Sequence, residues 1–193
     1  DMPGIDIVIP DFTYILKNKD RIRGLFVTHG HEDHIGAIPY LLKELNVEIY
    51  GTRLTLGLIE GKLREHGILS SAKLNVVTPR QTVKMGCMAV EFIRVNHSIP
   101  DAVALAIHTP AGIVVHTGDF KVDYTPIESE IIDLARFGEL GNRGVLALMA
   151  DSTNAERRGH TASERTVGQS FERLFDTAEG KRIIIATFSS NIH

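Results

Sequence analysis

Short apolar runs dense in Val, Ile and Leu alternate along this chain with segments of helical period, which restricts the fold to a layered α/β or α+β domain. Strands are expected near 23–28, 47–50, 74–78, 88–95, 102–108, 112–116, 145–150 and 182–187, and helices at about 35–45, 53–65, 128–137 and 163–178. The last helix has the clearest pattern. Val167, Phe171, Leu174, Phe175 and Ala178 recur at three- and four-residue spacing, Thr161 and Glu164 have the spacing of a capping box, and Gly180 follows as a stop. Pro39 fits only an opening turn, so the first helix is expected to begin later than its apolar pattern does.

The strongest chemical signal is Thr28-His29-Gly30-His31-Glu32-Asp33-His34, which follows the apolar run Leu25-Phe26-Val27 and precedes a helical pattern. Imidazole and carboxylate are the usual ligands of a hydrolytic zinc, and a glycine-containing turn at a strand end can aim four of them at one point. The bland alternative is a solvated loop that happens to be rich in His. Three later residues argue against it. His97 follows the run ending Phe92-Ile93-Arg94-Val95, Asp119 follows Ile113-Val114-Val115 through His116-Thr117-Gly118, and Asp151 follows 145–150. Four strands thus deliver His or Asp at their C-terminal ends, where sheet scaffolds commonly assemble sites from loops. Any single Asp after a strand is more often a turn former; the set carries the inference.

The remaining His and Cys residues have plainer readings. His66, before Gly67 at a helix end, suits the negative pole of that helix. His108, beside Thr109-Pro110, is expected at the surface or supporting a ligand. His116 either orients Asp119 by a hydrogen bond or packs in the core. His160, with Arg157 and Arg158, is expected to face water. Cys87 reads as a small hydrophobe at a strand edge.

Composition sets further bounds. At 193 residues, with 43% hydrophobic and 23% charged content, the chain can bury a core as one domain or one and a part. Its single cysteine excludes an intrachain disulfide framework and a Cys-rich zinc finger, which fits a reducing, cytoplasmic setting. No apolar run approaches the ~20 residues that span a bilayer, and Asp1-Met2-Pro3-Gly4 lacks the basic-then-apolar order of a signal peptide, so no membrane association is expected. The formal net charge of −3 is not that of a free-standing nucleic-acid binder, so any such contact must be local.

With those residues in place, the chain resembles the metallo-β-lactamase superfamily, an α+β fold of four αββα layers carrying H-x-H-x-D-H, then a single His, then a bridging Asp. The matching residues are His29, His31, Asp33 and His34, then His97, then Asp119. A class B β-lactamase commonly uses cysteine at its second metal, whereas Cys87 precedes His97 and belongs to no such motif, so an antibiotic substrate is not implied. Further stretches resemble the β-CASP nucleases of the ribonuclease J family: Gly4-Ile5-Asp6, His97-Ser98-Ile99-Pro100-Asp101, His116-Thr117-Gly118-Asp119-Phe120-Lys121 and Asp151-Ser152-Thr153-Asn154. By this resemblance Asp151 is the first acidic β-CASP motif, residues 1–160 form the metallo-β-lactamase core without its first strands, and 161–193 lead into the β-CASP insertion.

The resemblance implies two zinc ions, with manganese as the alternative. His29, His31 and His97 would hold the first ion, Asp33 and His34 the second, and Asp119 both. Asp33, Asp119 and Asp151 would be the catalytic carboxylates, and Ser189 and Ser190 would lie near the substrate path. A structural calcium near Asp6 is also implied. The activity implied is metal-dependent hydrolysis of RNA phosphodiesters, endonucleolytic and 5′-to-3′ exonucleolytic, in RNA processing and decay. The full-length protein would be cytoplasmic, and would act as a homo-oligomer or within an RNA-decay complex. The strand at 182–187 runs into the last residues without a closing element, so the chain reads as truncated and, alone, as inactive. Two rival readings are a thioesterase-like hydrolase of the same fold, disfavoured by Asp151-Ser152-Thr153, and a non-catalytic RNA-binding scaffold, disfavoured by the intact ligand set.

Overall fold

The computed structural model describes residues 3–127 and 131–187, and the chain divides into two compact units, Asp1–Val76 and Val77–His193. In the first unit the elements run α1 (Thr13–Lys17), β1 (Leu25–Phe26), α2 (Glu32–Ile35), α3 (Ile38–Glu44), β2 (Glu48–Gly51), α4 (Arg53–Glu65) and β3 (Lys73–Val76). The three strands pair in parallel in the order β1-β2-β3. Parallel pairing requires a crossover between successive strands, and α3 and α4 supply it. On α4, Leu56, Ile59 and Leu63 fall at three- and four-residue spacing and are buried against Ile49 of β2. Each such side chain contributes roughly 1.5–3 kcal/mol through removal from water.

The helix expected over 35–45 is two helices, broken at Gly36 and Ala37. Pro39 stands in the first turn of α3, the place where its missing N–H costs nothing. Gly36 is required for close approach. A Cβ there would come within 2.7 Å of the Glu32 carbonyl oxygen, which accepts the Gly36 amide at 2.7 Å.

The second unit holds β4 (Thr82–Met85), β5 (Met88–Arg94), β6 (Val103–Thr109), β7 (Gly112–His116), α5 (Leu134–Arg143), β8 (Val145–Met149) and α6 (Arg165–Asp176). Its sheet runs β4-β5-β6-β7-β8, antiparallel except for the parallel pair β7–β8. Ile93, Ala104, Ala106 and Val115 form its core with Leu140 of α5. The β4–β5 hairpin was not expected from the sequence. Its two-residue turn is Gly86-Cys87, with Gly86 at φ +64 in the first central position, so Cys87 lies exposed in a turn rather than at a strand edge.

Three other expectations are corrected. The helix placed at 128–137 begins at Leu134, because the Asp133 carboxylate caps it by accepting the Arg136 amide, while Ile132 is buried in the core; residues 128–130 lie outside the described residues. The last helix starts at Arg165 without the Thr161/Glu164 capping box; the Ser163 hydroxyl accepts the Arg165 amide, and Glu164 pairs with Lys121 instead. Residues 182–187 form no strand despite three consecutive isoleucines, of which Ile184 is 85% exposed. Strand propensity needs a neighbouring strand to pair with. No helix among the described residues is long and apolar enough to cross a membrane.

Candidate metal centre

In the first unit β1 carries the chain inward. The Val27 amide donates to the Tyr50 carbonyl, and Val27, Thr28, His29 and Gly30 are all buried. His29 is fully enclosed, three residues past the end of β1. His31 then caps α2 in an extended conformation, its carbonyl accepting the amides of His34 and Ile35. This one-turn helix presents Asp33 and His34, anchored by buried Ile35 and by a 2.5 Å ion pair from Glu32 to Lys62 on α4. The His29 ring lies 4.9 Å edge-on from His31 and 4.0 Å from His34, and a ligand nitrogen of His29 stands within 4.8 Å of one on each. Two tetrahedral zinc ligands sit roughly 3.4 Å apart at zinc–ligand distances near 2.1 Å, so these spacings suit ligands of one ion or of two neighbouring ions. The Asp33 carboxylate is 3.6 Å from the His34 ring and largely exposed.

In the second unit His97 and Asp119 repeat the arrangement. His97 lies three residues past β5, and Asp119 three residues past β7. The turn bearing Asp119 is fixed at every step. The Thr117 amide donates to the Met149 carbonyl and the Thr117 hydroxyl to the Gly118 carbonyl. Gly118 takes the left-handed φ of +58 and donates its amide to Nδ1 of His116. His116 therefore shapes the turn that carries Asp119. The His97 Nε2 and an Asp119 oxygen end 3.7 Å apart. That exceeds hydrogen-bond length and is close to the edge of a zinc coordination tetrahedron.

Asp151, two residues past β8, joins this turn rather than standing apart. Its amide donates to the Thr117 hydroxyl, and one carboxylate oxygen accepts both the hydroxyl and the amide of Thr153. The Thr153 hydroxyl and amide hold its carboxyl below the ordinary range against partial burial. The Phe120 amide and the neighbouring His97 act in the same direction.

The donors fit a borderline-soft divalent ion: imidazole nitrogens from buried strand ends, with carboxylates beside them. Sequence reasoning passed over Thr28, Asn96 and Thr117, each buried and each within two residues of a ligand candidate. The available signal was a polar residue at the end of an otherwise apolar run. His66 occupies the C-cap of α4, with its ring 3.2 Å from the Lys43 ammonium. His108 is not a surface group but half-buried on β6, 3.1 Å from buried Glu91. His160, Arg157 and Arg158 are exposed. Asp6 belongs to none of the groups of metal-ligating side chains found among the described residues. Ser189 and Ser190 lie outside the described residues.

Residues 3–172 match the metallo-beta-lactamase superfamily. Ribonuclease J of Synechocystis is 50% identical over 195 residues, an alignment covering 100% of this chain and 30% of that protein. Ribonuclease J 1 of Streptococcus pyogenes is 49% identical (100% and 34%), and ribonuclease J2 of Bacillus subtilis 43% identical (100% and 35%). The chain thus spans about a third of the length of these relatives. A solved structure of an Enterococcus faecalis protein of unknown function aligns with a TM-score of 0.65 at 20% identity, covering 87% of this chain and 42% of that one, a likeness of fold alone. The family match runs through both sheets and every ligand candidate from His29 to Asp119, and the chain belongs to the metallo-β-lactamase superfamily.

Proposed function

We propose that this chain supplies the ligand-bearing part of a two-metal ribonuclease of the ribonuclease J kind, which hydrolyses RNA phosphodiesters both internally and from the 5′ end. Zinc is the proposed ion, with manganese as the alternative. His29, His31 and His97 would hold one ion, Asp33 and His34 a second, and Asp119 both. The observation that carries the reading is the placement of His29, His97 and Asp119, each three residues beyond its strand, in a chain 43–50% identical along its length to ribonucleases J.

A bound pair of divalent ions supplies activated water and neutralises charge growing on the phosphoryl oxygens. The chain's own contribution is positional. The turn of α2 leaves the Asp33 carboxylate largely exposed beside His34, where it can orient water or accept its proton. Asp119 is held by the Thr117–Gly118 turn, and Asp151 ties that turn to the end of β8. Nothing in this arrangement requires a 2′-hydroxyl, so the RNA preference rests on the relatives. We further propose residues 1–160 as the metallo-β-lactamase core and 161–193 as the passage into a β-CASP insertion, in a cytoplasmic protein acting as a homo-oligomer or within an RNA-decay complex.

Asp33→Ala, made in the protein that carries this chain, tests the proposal. Cleavage of 5′-monophosphorylated RNA should fall by roughly 100-fold or more, as expected for loss of a group acting on the attacking water. Bound zinc should fall while the circular dichroism spectrum stays unchanged. Wild-type turnover in the variant would sink the hydrolytic assignment.

A further inference from the structure

We infer that Asn96 is the positioning residue that sets the separation of His97 and Asp119, an inference resting on the proposal that this pair binds metal. Asn96 directly precedes His97 and is buried at the end of β5. It offers two carbonyl oxygens, and they point to different segments. Its backbone carbonyl accepts the Lys121 amide at 2.8 Å, forming an antiparallel bridge with the segment that follows Asp119. Its side-chain Oδ1 accepts the Ile132 amide at 2.9 Å, and Ile132 is itself buried in the core.

The division of labour follows from geometry. The segment entering α5 docks against the end of β5 through two bonds: the Asp133 amide to the Arg94 carbonyl at 3.1 Å, and the Ile132 amide to the Asn96 side chain. A buried amide needs an acceptor, and the Asn96 backbone carbonyl, which faces the Lys121 amide, is not the oxygen that the Ile132 amide meets. The side-chain carbonyl meets that need, so one residue joins three segments. The consequence for the ligands is direct. Lys121 is two residues from Asp119 and Asn96 is one from His97, so the bridge fixes how far apart the two turns stand. The observed 3.7 Å between Nε2 and the carboxylate is the outcome. Without Oδ1 the main-chain bridge to Lys121 remains, but the buried Ile132 amide loses its acceptor and Asn96 loses the side-chain anchor that holds its end of the bridge against the segment entering α5.

The test uses Asn96→Ala and Asn96→Asp in the protein that carries this chain. Zinc affinity is read by competition with a chromophoric chelator, ligand geometry by the visible spectrum of the cobalt-substituted protein, and stability by thermal melting without metal. Asn96→Asp keeps an oxygen in the same place. Asn96→Ala should weaken zinc binding by roughly tenfold or more, the range for residues that orient ligands, with an altered cobalt spectrum. Asn96→Asp should return affinity to within about threefold of wild type. Leu140→Ala, in the core of the same unit, is the stability control: it should lower the melting temperature at least as much while leaving zinc affinity unchanged.

Wild-type zinc affinity in Asn96→Ala would overturn the inference. So would an Asn96→Asp variant as impaired as Asn96→Ala, or a loss of affinity in Leu140→Ala proportional to its lost stability. His97→Ala and Asp119→Ala separate the two levels. If neither changes zinc binding, the metal assignment fails and takes this inference with it; if both do and Asn96→Ala does not, only the role of Asn96 fails.

Discussion

The hydroxyl of Thr28 lies 3.1 Å from Nδ1 of His29, and both residues are buried. A neutral imidazole carries one proton, so a ring that donates Nδ1–H to this hydroxyl presents the lone pair of Nε2 to an ion. Thr28→Val keeps the shape and removes the acceptor. It should weaken zinc binding by roughly tenfold, with Thr28→Ser restoring most of it. Long-range proton–nitrogen spectra of the metal-free protein give an independent readout: His29 should carry its proton on Nδ1 in the wild type and lose that preference in Thr28→Val. A wild-type His29 protonated on Nε2 would contradict this account.

A second prediction concerns the acid limb of stability. Glu91 is buried on β5, and its two oxygens accept from the Arg136 guanidinium at 2.7 and 2.9 Å. Burial alone would raise its carboxyl, but the hydrogen bonds from Arg136 and His108 overcome this and hold it below the ordinary 4.5. A depressed carboxylate stabilises the fold above its unfolded value and loses that contribution as pH falls through the folded one. Asp133 and Asp123 are lowered as well, each against the opposing effect of burial, by Arg80 in the first case and by the Thr125 amide in the second. Melting temperature should therefore hold from neutral pH to about 5 and fall below about 4.5. Arg136→Ala leaves Glu91 buried with its His108 contact but without the guanidinium and should cost about 3–5 kcal/mol at pH 7 in denaturant melts. With burial then dominating, protonation relieves the variant, so the gap to wild type should begin to narrow above about pH 4.5 and narrow further below it as wild-type Glu91 protonates. A constant gap would show that Arg136 acts through packing alone.

The third prediction follows from exposed apolar surface. On β8, Leu146 and Leu148 are each 63% exposed. Among the described residues β8 pairs with β7 and is the last strand of its sheet. Apolar side chains on a sheet edge favour association. The 193-residue chain should scatter light in a concentration-dependent way, and Leu146→Lys with Leu148→Lys should reduce that scattering. Because both side chains are already exposed, stability should change by no more than about 0.5 kcal/mol each. Unchanged scattering in the double variant would place the sticky surface elsewhere.

α6 shows what the sequence could and could not disclose. Its spacing of Val167, Phe171, Leu174 and Phe175 marks a helix because one face repeats every 3.6 residues, and the helix is there. Periodicity does not say what covers the face: all four side chains are at least 40% exposed, with the Phe171 and Phe175 rings stacked on each other at 5.6 Å. The same limit explains residues 182–187, where β-branched composition was visible and a pairing strand was not. The convergence of the first three histidines was legible for the opposite reason. His29, His31 and His34 lie within six residues, so local backbone geometry alone brings their rings together, while Asp33 on the same turn stays largely exposed. Asn96 stayed hidden because its role depends on Lys121 and Ile132, 25 and 36 residues away, and no local pattern joins those positions.

Asp151 is where two readings of the sequence, turn former and catalytic carboxylate, can be separated. The structure bears out the first through the paired bonds from Thr153. The second is a proposal, supported by the Asp151 amide, which donates to the Thr117 hydroxyl and so sets the carboxylate beside the turn that carries Asp119. Asp151→Asn keeps an oxygen for the Thr153 amide and hydroxyl but removes the charge. Asp151→Ala removes both. If Asp151 serves only the turn, Asp151→Asn should retain RNA cleavage near wild type and Asp151→Ala should lose it together with bound zinc. If the charge acts in the reaction, both variants should lose roughly 100-fold or more in cleavage rate, while Asp151→Asn keeps its zinc content and melting temperature. The second pattern is the expected one. A carboxylate needed only to close a turn would tolerate the amide, whereas this one sits on the residue whose amide holds the Thr117 hydroxyl, two residues from Asp119.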